Sequence, residues 1–191
     1  MIFFTMPADK IKSPNITIDD KLILKIATGD MDALKVVYST TKHAIYGFAL
    51  SILKNKDDAE DVLQETYINL VSASKTYVPK KKAMALLFTI CRNLCLGKLR
   101  EHKNISGDEV DLNKVEDLTF DTITQYEDRI VLETVMKILA ESEREIIILH
   151  ITAGFKFREI ASILNIPLAT VLSKYNRAIK KLRLLLEKEA Y

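Results

Sequence analysis

The chain has 191 residues and a mass of 21.7 kDa, with 48% hydrophobic residues, 28% charged residues and a formal net charge of +2. That length admits one large or two small domains with real cores, and the near-balanced charge gives no sign of a chain that binds polyanions along its whole length. Two cysteines exclude a disulfide framework, and no apolar run reaches membrane-spanning length. The brief apolar start "MIFFTM" is followed by a charged, proline-containing stretch, so a cytoplasmic protein without a secretory signal is expected.

Helical spacing of apolar residues dominates and no strand-like alternation bounded by hairpin turns occurs, which predicts an all-α fold. A first helix is predicted over Asp19 to Thr28, ended by Gly29 as a left-handed cap. Asp30 caps the next, Met31 to Asn55, whose apolar face includes Leu34, Val37, Ile45, Phe48 and Ile52. A third runs over Asp57 to Ser74 with Ala59, Val62, Leu63, Tyr67 and Leu70 as its inward stripe. After a turn around Pro79, Lys80 to His102 reads as a helix apolar enough to be largely buried. Cys91 and Cys95, four apart within it, share one helix face and read as two small buried apolar side chains rather than as a metal site completed by His102.

Residues 1–102 thus form one helical domain. Residues 103–125 are polar, acidic and poor in sustained periodicity, which predicts a linker, either a solvated spacer or a cover over a basic face. Residues 126–191 form the second domain, in which Ser142 and Glu145 have capping-box spacing and Gly154 ends an element. Charge follows the same division. Lys80 to Lys103 is basic through Lys80, Lys81, Lys82, Arg92, Lys98, Arg100 and Lys103. Gly154 to Arg183 is basic through Lys156, Arg158, Lys174, Arg177, Lys180, Lys181 and Arg183, and Asn104 to Asp128 between them is acidic. Two basic segments flanking an acidic one point to a nucleic-acid partner.

The stretch "FREIASILNIPLATVLSKYNRAIKKLR", Phe157 to Arg183, fits a helix-turn-helix. Ile160 and Leu164 line the first helix, small Ala161 lets the second approach, and Asn165 occupies a corner that requires positive φ. Ile166 sits beneath the turn, Pro167 fits the first turn of the following helix, and Val171 packs inward. Thr170, Leu172, Ser173, Lys174, Asn176 and Arg177 are left outward on a helix suited to a major groove, with the basic residues holding phosphates.

"GDMDALKVVY", "KNKDDAEDVLQETYINL", "FTICRNLCLGKLRE" and the "REIIILHITAGFKFREIASILNIPLATVLSKYNRAIKKLR" segment, taken together and in this order, resemble the sigma-70 family of bacterial transcription initiation factors, specifically the small extracytoplasmic-function (ECF) group. The resemblance covers about Asp19 to His102 and Tyr126 to Leu186. It implies two small helical domains joined by an acidic linker: sigma domain 2 over 1–102, which binds core polymerase and recognises and melts the minus-ten element, and sigma domain 4 over 126–191, a helix-turn-helix that recognises the minus-thirty-five element. The implied partners are RNA polymerase core, through its β′ clamp and β flap, promoter DNA and an anti-sigma factor. By the same resemblance Asp58, Glu60, Asp61, Gln64 and Glu65 match the acidic helix that docks on the β′ clamp coiled coil, where Val62 and Leu63 would add apolar contact. Lys80, Lys81, Lys82, Arg92, Asn93, Lys98 and Arg100 match the part that holds the separated minus-ten strand. Arg158, Thr170, Leu172, Ser173, Lys174, Asn176, Arg177, Lys180 and Lys181 match the reader of the minus-thirty-five duplex.

The sequence departs from the family pattern at Leu86, where Trp is usual, at Gly97, where Asp is usual, and at Lys156, Ala169, Leu172 and Lys174 in the second domain. Two other readings use the same residues. An autonomous helix-turn-helix regulator would bind duplex operator without polymerase, and a sigma-like protein altered at Leu86 and Gly97 would bind core without melting DNA. No catalytic constellation occurs: His43, His102 and His150 are isolated and no glycine-rich phosphate loop is present, so neither an enzyme nor a cofactor or metal is expected.

Overall fold

The computed structural model describes residues 16–80, 82–106 and 138–189, and all regular structure among them is helical. The chain divides into two compact units, whose described parts lie within Ile16–Thr124 and Gln125–Tyr191.

The first unit holds α1 (Asp20–Ala27), α2 (Met31–Leu53), α3 (Lys56–Ser74) and α4 (Ala83–Ser106). Each of the first three starts where a short polar side chain satisfies otherwise unpaired helix N–H groups. Asp19 accepts from Lys21 N at 2.9 Å, Asp30 from Asp32 N and Ala33 N at 3.0 Å each, and Asn55 from Asp58 N at 3.0 Å. The chain turns sharply after α1 at Gly29 (φ +90°) and after α2 at Lys54 (φ +55°), both left-handed. Gly29 was predicted for this; Lys54 was not, because a lysine carries no sequence signal for that conformation.

Ile23 of α1, Val37, Ile45, Phe48 and Ile52 of α2, Ala59, Val62 and Leu70 of α3, and Leu87, Phe88, Cys91 and Cys95 of α4 are all completely buried. The rings of Phe48 and Phe88 meet edge to face at 5.3 Å, which favours the pair beyond its buried area. The cysteines are core side chains, as expected. Leu34 and Leu63, placed inward from their spacing, are only half-buried. A buried polar crossing between α2 and α3 is satisfied: the Thr41 and Tyr67 hydroxyls pair at 2.8 Å, and burial raises the Tyr67 pKa far above the ordinary phenol range.

At the edge of the unit the Tyr77 hydroxyl donates to Asp20 Oδ1 at 2.8 Å. Desolvation, and then this bond to a carboxylate, push the phenol up to about 12. A raised folded-state pKa holds the proton that the unfolded chain loses near pH 10, so this contribution is intact below about pH 10 and fades as pH climbs toward about 12. Tyr77→Phe should therefore show a shallower alkaline loss of stability between those limits than the parent, read from urea midpoints at stepped pH.

Helix α4 begins at Ala83, not in the lysine run, and continues past the expected limit at His102 to Ser106. Lys82 lies just before the helix, and its carbonyl accepts from Leu86 N at 3.0 Å, closing the first turn. Gly97 lies inside α4 with nothing within 4 Å of where a Cβ would stand. Gly97→Ala should therefore raise the unfolding free energy by about 1 kcal/mol, visible as a higher urea midpoint.

The second unit holds α5 (Glu141–Ile151), α6 (Phe157–Leu164) and α7 (Leu168–Glu189). Ile146, Ile147, Ile148 and Leu149 are buried in succession, so α5 is enclosed on every side along this stretch, and Ile160, Leu164, Val171, Ala178 and Leu182 close the core around it. The predicted Ser142–Glu145 capping box is not the one formed. Glu143 reaches back to accept from Ala140 N at 3.2 Å, and Ala140, the residue at the cap, has no side-chain acceptor to reciprocate. The helix starts two residues earlier than the Ser–Glu spacing suggests. The first four residues of the predicted linker, 103–106, are instead the last turn of α4; predictions falling on residues 107–137, including the rest of the linker and "YEDRIVLETVMK", lie outside the described residues, as do residues 1–15.

Candidate nucleic-acid and partner interfaces

The corner between α6 and α7 is built as its sequence requires. Asn165 takes φ 53° and ψ 47°, and its N–H closes on Ala161 O. Pro167 stands just before α7 rather than within its first turn, where its carbonyl accepts from Thr170 N at 2.9 Å and Val171 N at 3.1 Å. Lys156 has the same one-sided cap as Ala140, its N–H bonded to Glu159 Oε2 at 2.8 Å. Ile160 and Leu164 of α6 and Val171 of α7 are buried, which fixes the two helices against each other. Arg158, Leu172, Ser173, Asn176, Arg177 and Lys180 are exposed, and Thr170 and Lys174 are half-exposed.

Lys181 differs from its neighbours: its ammonium donates to Glu143 Oε2 at 2.6 Å, and that carboxylate is buried. It therefore serves first to neutralise a buried charge and tie α7 to α5. An aromatic cluster joins the same helices. His150 stacks on Phe157 at 4.4 Å, both meet Tyr175, and His150 Nδ1 lies 2.8 Å from the Phe155 carbonyl oxygen. Burial raises the Tyr175 pKa. His150 is thus a packing residue, in line with its sequence reading.

In the first unit, α3 carries the acidic run. Glu60, Asp61, Gln64 and Glu65 are exposed, at spacings that put them along one side of the helix. Asp58 is not: its side chain is 15% exposed and faces α4. Val62, expected to add apolar contact to a partner, is completely buried in the unit's own core and cannot do so. Leu63 instead lines a groove of about 250 Å³ between α2 and α3, together with Tyr38, Lys42, Tyr46, Glu60 and Gln64. The Lys42 ammonium lies 5.8 Å from the Tyr38 ring centre.

Lys98, matched by resemblance to the strand-holding set, is engaged with the acidic run. Its Nζ lies 2.7 Å from Asp61 Oδ2 and 3.4 Å from Asp58 Oδ1, and His102 Nε2 is 3.7 Å from Asp58 Oδ2. The hydrogen bond to Asp61, opposed by desolvation and aided by both carboxylates' charge, raises the Lys98 pKa. Sequence reasoning assigned the two ends of this network to different partners. Nothing in their separation along the chain signals the contact. Lys80, Lys82, Asn93 and Arg100 are exposed, Arg92 is half-buried, and Lys81 lies outside the described residues. Leu86 is half-buried. Among the described residues no group of His, Cys, Asp and Glu is placed to hold a metal ion, and no helix is long and apolar enough to cross a membrane.

A four-helix unit with an acidic outer helix, followed by a unit whose last two helices meet at a left-handed corner with a polar and basic outer face, places the chain among two-unit, all-helical proteins of the helix-turn-helix class. Residues 37–105 match Sigma-70 region 2, and residues 129–182 match Sigma-70, region 4. The chain is similar to the ECF RNA polymerase sigma factor SigK of Mycobacterium sp. (strain KMS), 24% identical with 91% of this chain and 93% of that protein covered. It is 26% identical to the ECF RNA polymerase sigma factor SigW of Bacillus subtilis (strain 168), covering 85% and 94%.

Two solved structures share the fold. The sigma factor RpoE of Bartonella quintana, solved with the anti-sigma factor NepR, superposes with a TM-score of 0.67 at 25% identity, covering 80% of this chain and 96% of that one. CnrH, solved with the cytosolic domain of CnrY, gives 0.63 at 24% identity, covering 89% and 97%. The chain belongs to the sigma-70 family, in its ECF group.

Proposed function

We propose that this sigma factor directs RNA polymerase core to promoters by dividing the work between its two units. The exposed side of α3, with Glu60, Asp61, Gln64 and Glu65, docks on the β′ clamp coiled coil. The segment from Lys80 through Arg100, with Lys82, Asn93 and Arg100 exposed, receives the separated minus-ten strand and tracks its phosphates. The outer face of α7 reads the minus-thirty-five duplex, and Arg158, Arg177 and Lys180 position the backbone. RNA synthesis itself belongs to the polymerase, so this chain needs no catalytic group, and it works where the polymerase works, in the cytoplasm. An anti-sigma factor is the further partner expected for a chain of this group.

The observation that carries this reading is the pairing of region 2 and region 4 in one chain, in that order, with region 4 folded around the left-handed Asn165 corner. An autonomous regulator needs the second of these but gives no role to the first. The test is transcription from genomic DNA by polymerase core with and without the purified chain, with start sites mapped by sequencing. New start sites preceded by a shared pair of elements support the reading. Core enzyme that neither binds the chain nor changes its start sites overturns it.

A further inference from the structure

Ala169, Leu172, Ser173 and Asn176 stand three and four residues apart on α7, and all four are exposed, so they form one stripe along the first half of the reading helix. Three of these are small or polar. Leu172 is large, apolar and 39% exposed, whereas Val171, Ala178 and Leu182 of the same helix are buried in the unit's core; Leu184, also exposed, lies more than three turns further along, beyond the stripe. The core therefore does not need Leu172. Its position relative to the Asn165 corner places it in the part of the helix that a helix-turn-helix inserts into the major groove.

A leucine there can neither donate nor accept a hydrogen bond, so it cannot read the polar edges of bases. The floor of the major groove offers one apolar group, the C5 methyl of thymine. We infer that Leu172 is a specificity-determining residue that packs on a thymine methyl of the upstream promoter element. Ala169, one turn earlier on the same stripe and carrying only a methyl group, lets the backbone of α7 approach closely enough for that contact. Lys174 and Arg177, flanking the stripe, hold phosphates rather than bases. An element read this way carries thymine at one or two fixed positions, where a cation at residue 172 would favour guanine.

This inference rests on the proposed function, and its test separates the two. A promoter is taken from the start sites that holoenzyme reconstituted with the full chain uses on genomic DNA. Each thymine of its upstream element is replaced in turn by deoxyuridine, which removes the methyl and leaves every hydrogen-bonding group in place. At limiting holoenzyme, promoter binding should fall about fourfold at one or two of these thymines, the value of one buried methyl. Leu172→Ala, a solvent-side change to a good helix former, should bind polymerase core as the parent does and lose that sensitivity. Binding indifferent to deoxyuridine at every position overturns the inference, as does equal sensitivity in Leu172→Ala. Start sites that never appear overturn the proposed function itself.

Discussion

Asp61→Lys should weaken binding to RNA polymerase core by about tenfold to a hundredfold, the range for losing a charge pair at a docking surface and replacing it with a repulsion. Asp61 is singled out by its geometry. Its side chain is 61% exposed, whereas that of Asp58, three residues earlier, is 15% exposed and turned toward Lys98 and His102. Of the acidic residues that resemblance assigns to docking, Asp61 is both reachable by a partner's cation and close to one supplied by its own chain. Asp32→Lys, on an 87% exposed side chain of α2, changes the net charge equally and should leave affinity within about twofold. It thereby separates a specific contact from a general change in field.

Lys98→Met completes the experiment. It deprives Asp58 and Asp61 of their shared ammonium. Both Lys98 and Asp58 are largely but not wholly covered, so the loss should destabilise the first unit by about 1 kcal/mol rather than by the larger cost of an orphaned interior charge. Polymerase affinity should hold or rise, because Asp61 is released to the incoming cation. A dissociation constant unchanged in Asp61→Lys, measured by fluorescence anisotropy of the labelled chain, would remove α3 from the docking surface.

Phe48→Ala should cost the first unit about 3–5 kcal/mol, the usual range for emptying a buried aromatic site. Phe48 is completely buried and its ring leans edge-on against Phe88 of α4. Deleting it therefore opens a void where α2 and α4 meet and removes the aromatic contact as well. Amide exchange read along the chain should show protection lost across α2, α3 and α4 while α5 to α7 keep theirs, because the second unit has a core of its own in Ile146 to Leu149, Ile160 and Val171. Equal loss in both units would mean that they unfold as one cooperative body.

Much of this was legible in one dimension. Asp19, Asp30 and Gly29 mark helix ends because cap chemistry acts within three or four residues. The corner at Asn165 was readable because few side chains tolerate that conformation. The errors share a cause. Ser142 and Glu145 have the right spacing for a capping box, yet α5 starts at Glu141 and Glu143 answers Ala140 instead, because burial of Ile146 to Leu149 sets where the helix begins. Lys54 ends α2 in a conformation that its identity does not favour, because the packing of α2 against α3 demands a tight reversal there. Val62 reads equally well as core or as partner contact, and only the fold assigns it to the core.

The sequence by itself determined the helical class, the caps at Asp30 and Gly29, most of the buried stripes, the helix-turn-helix corner and the ordered motifs from which the family was read, because each depends on residues a few positions apart along one helix or turn. The tertiary structure alone decided which charges meet. Lys98 reaches across 37 residues of chain to Asp61, and Lys181 across 38 to Glu143. Coulomb attraction acts through space and leaves no period in the sequence, so a lysine committed to a carboxylate and one held ready for DNA look the same until the helices that carry them are packed.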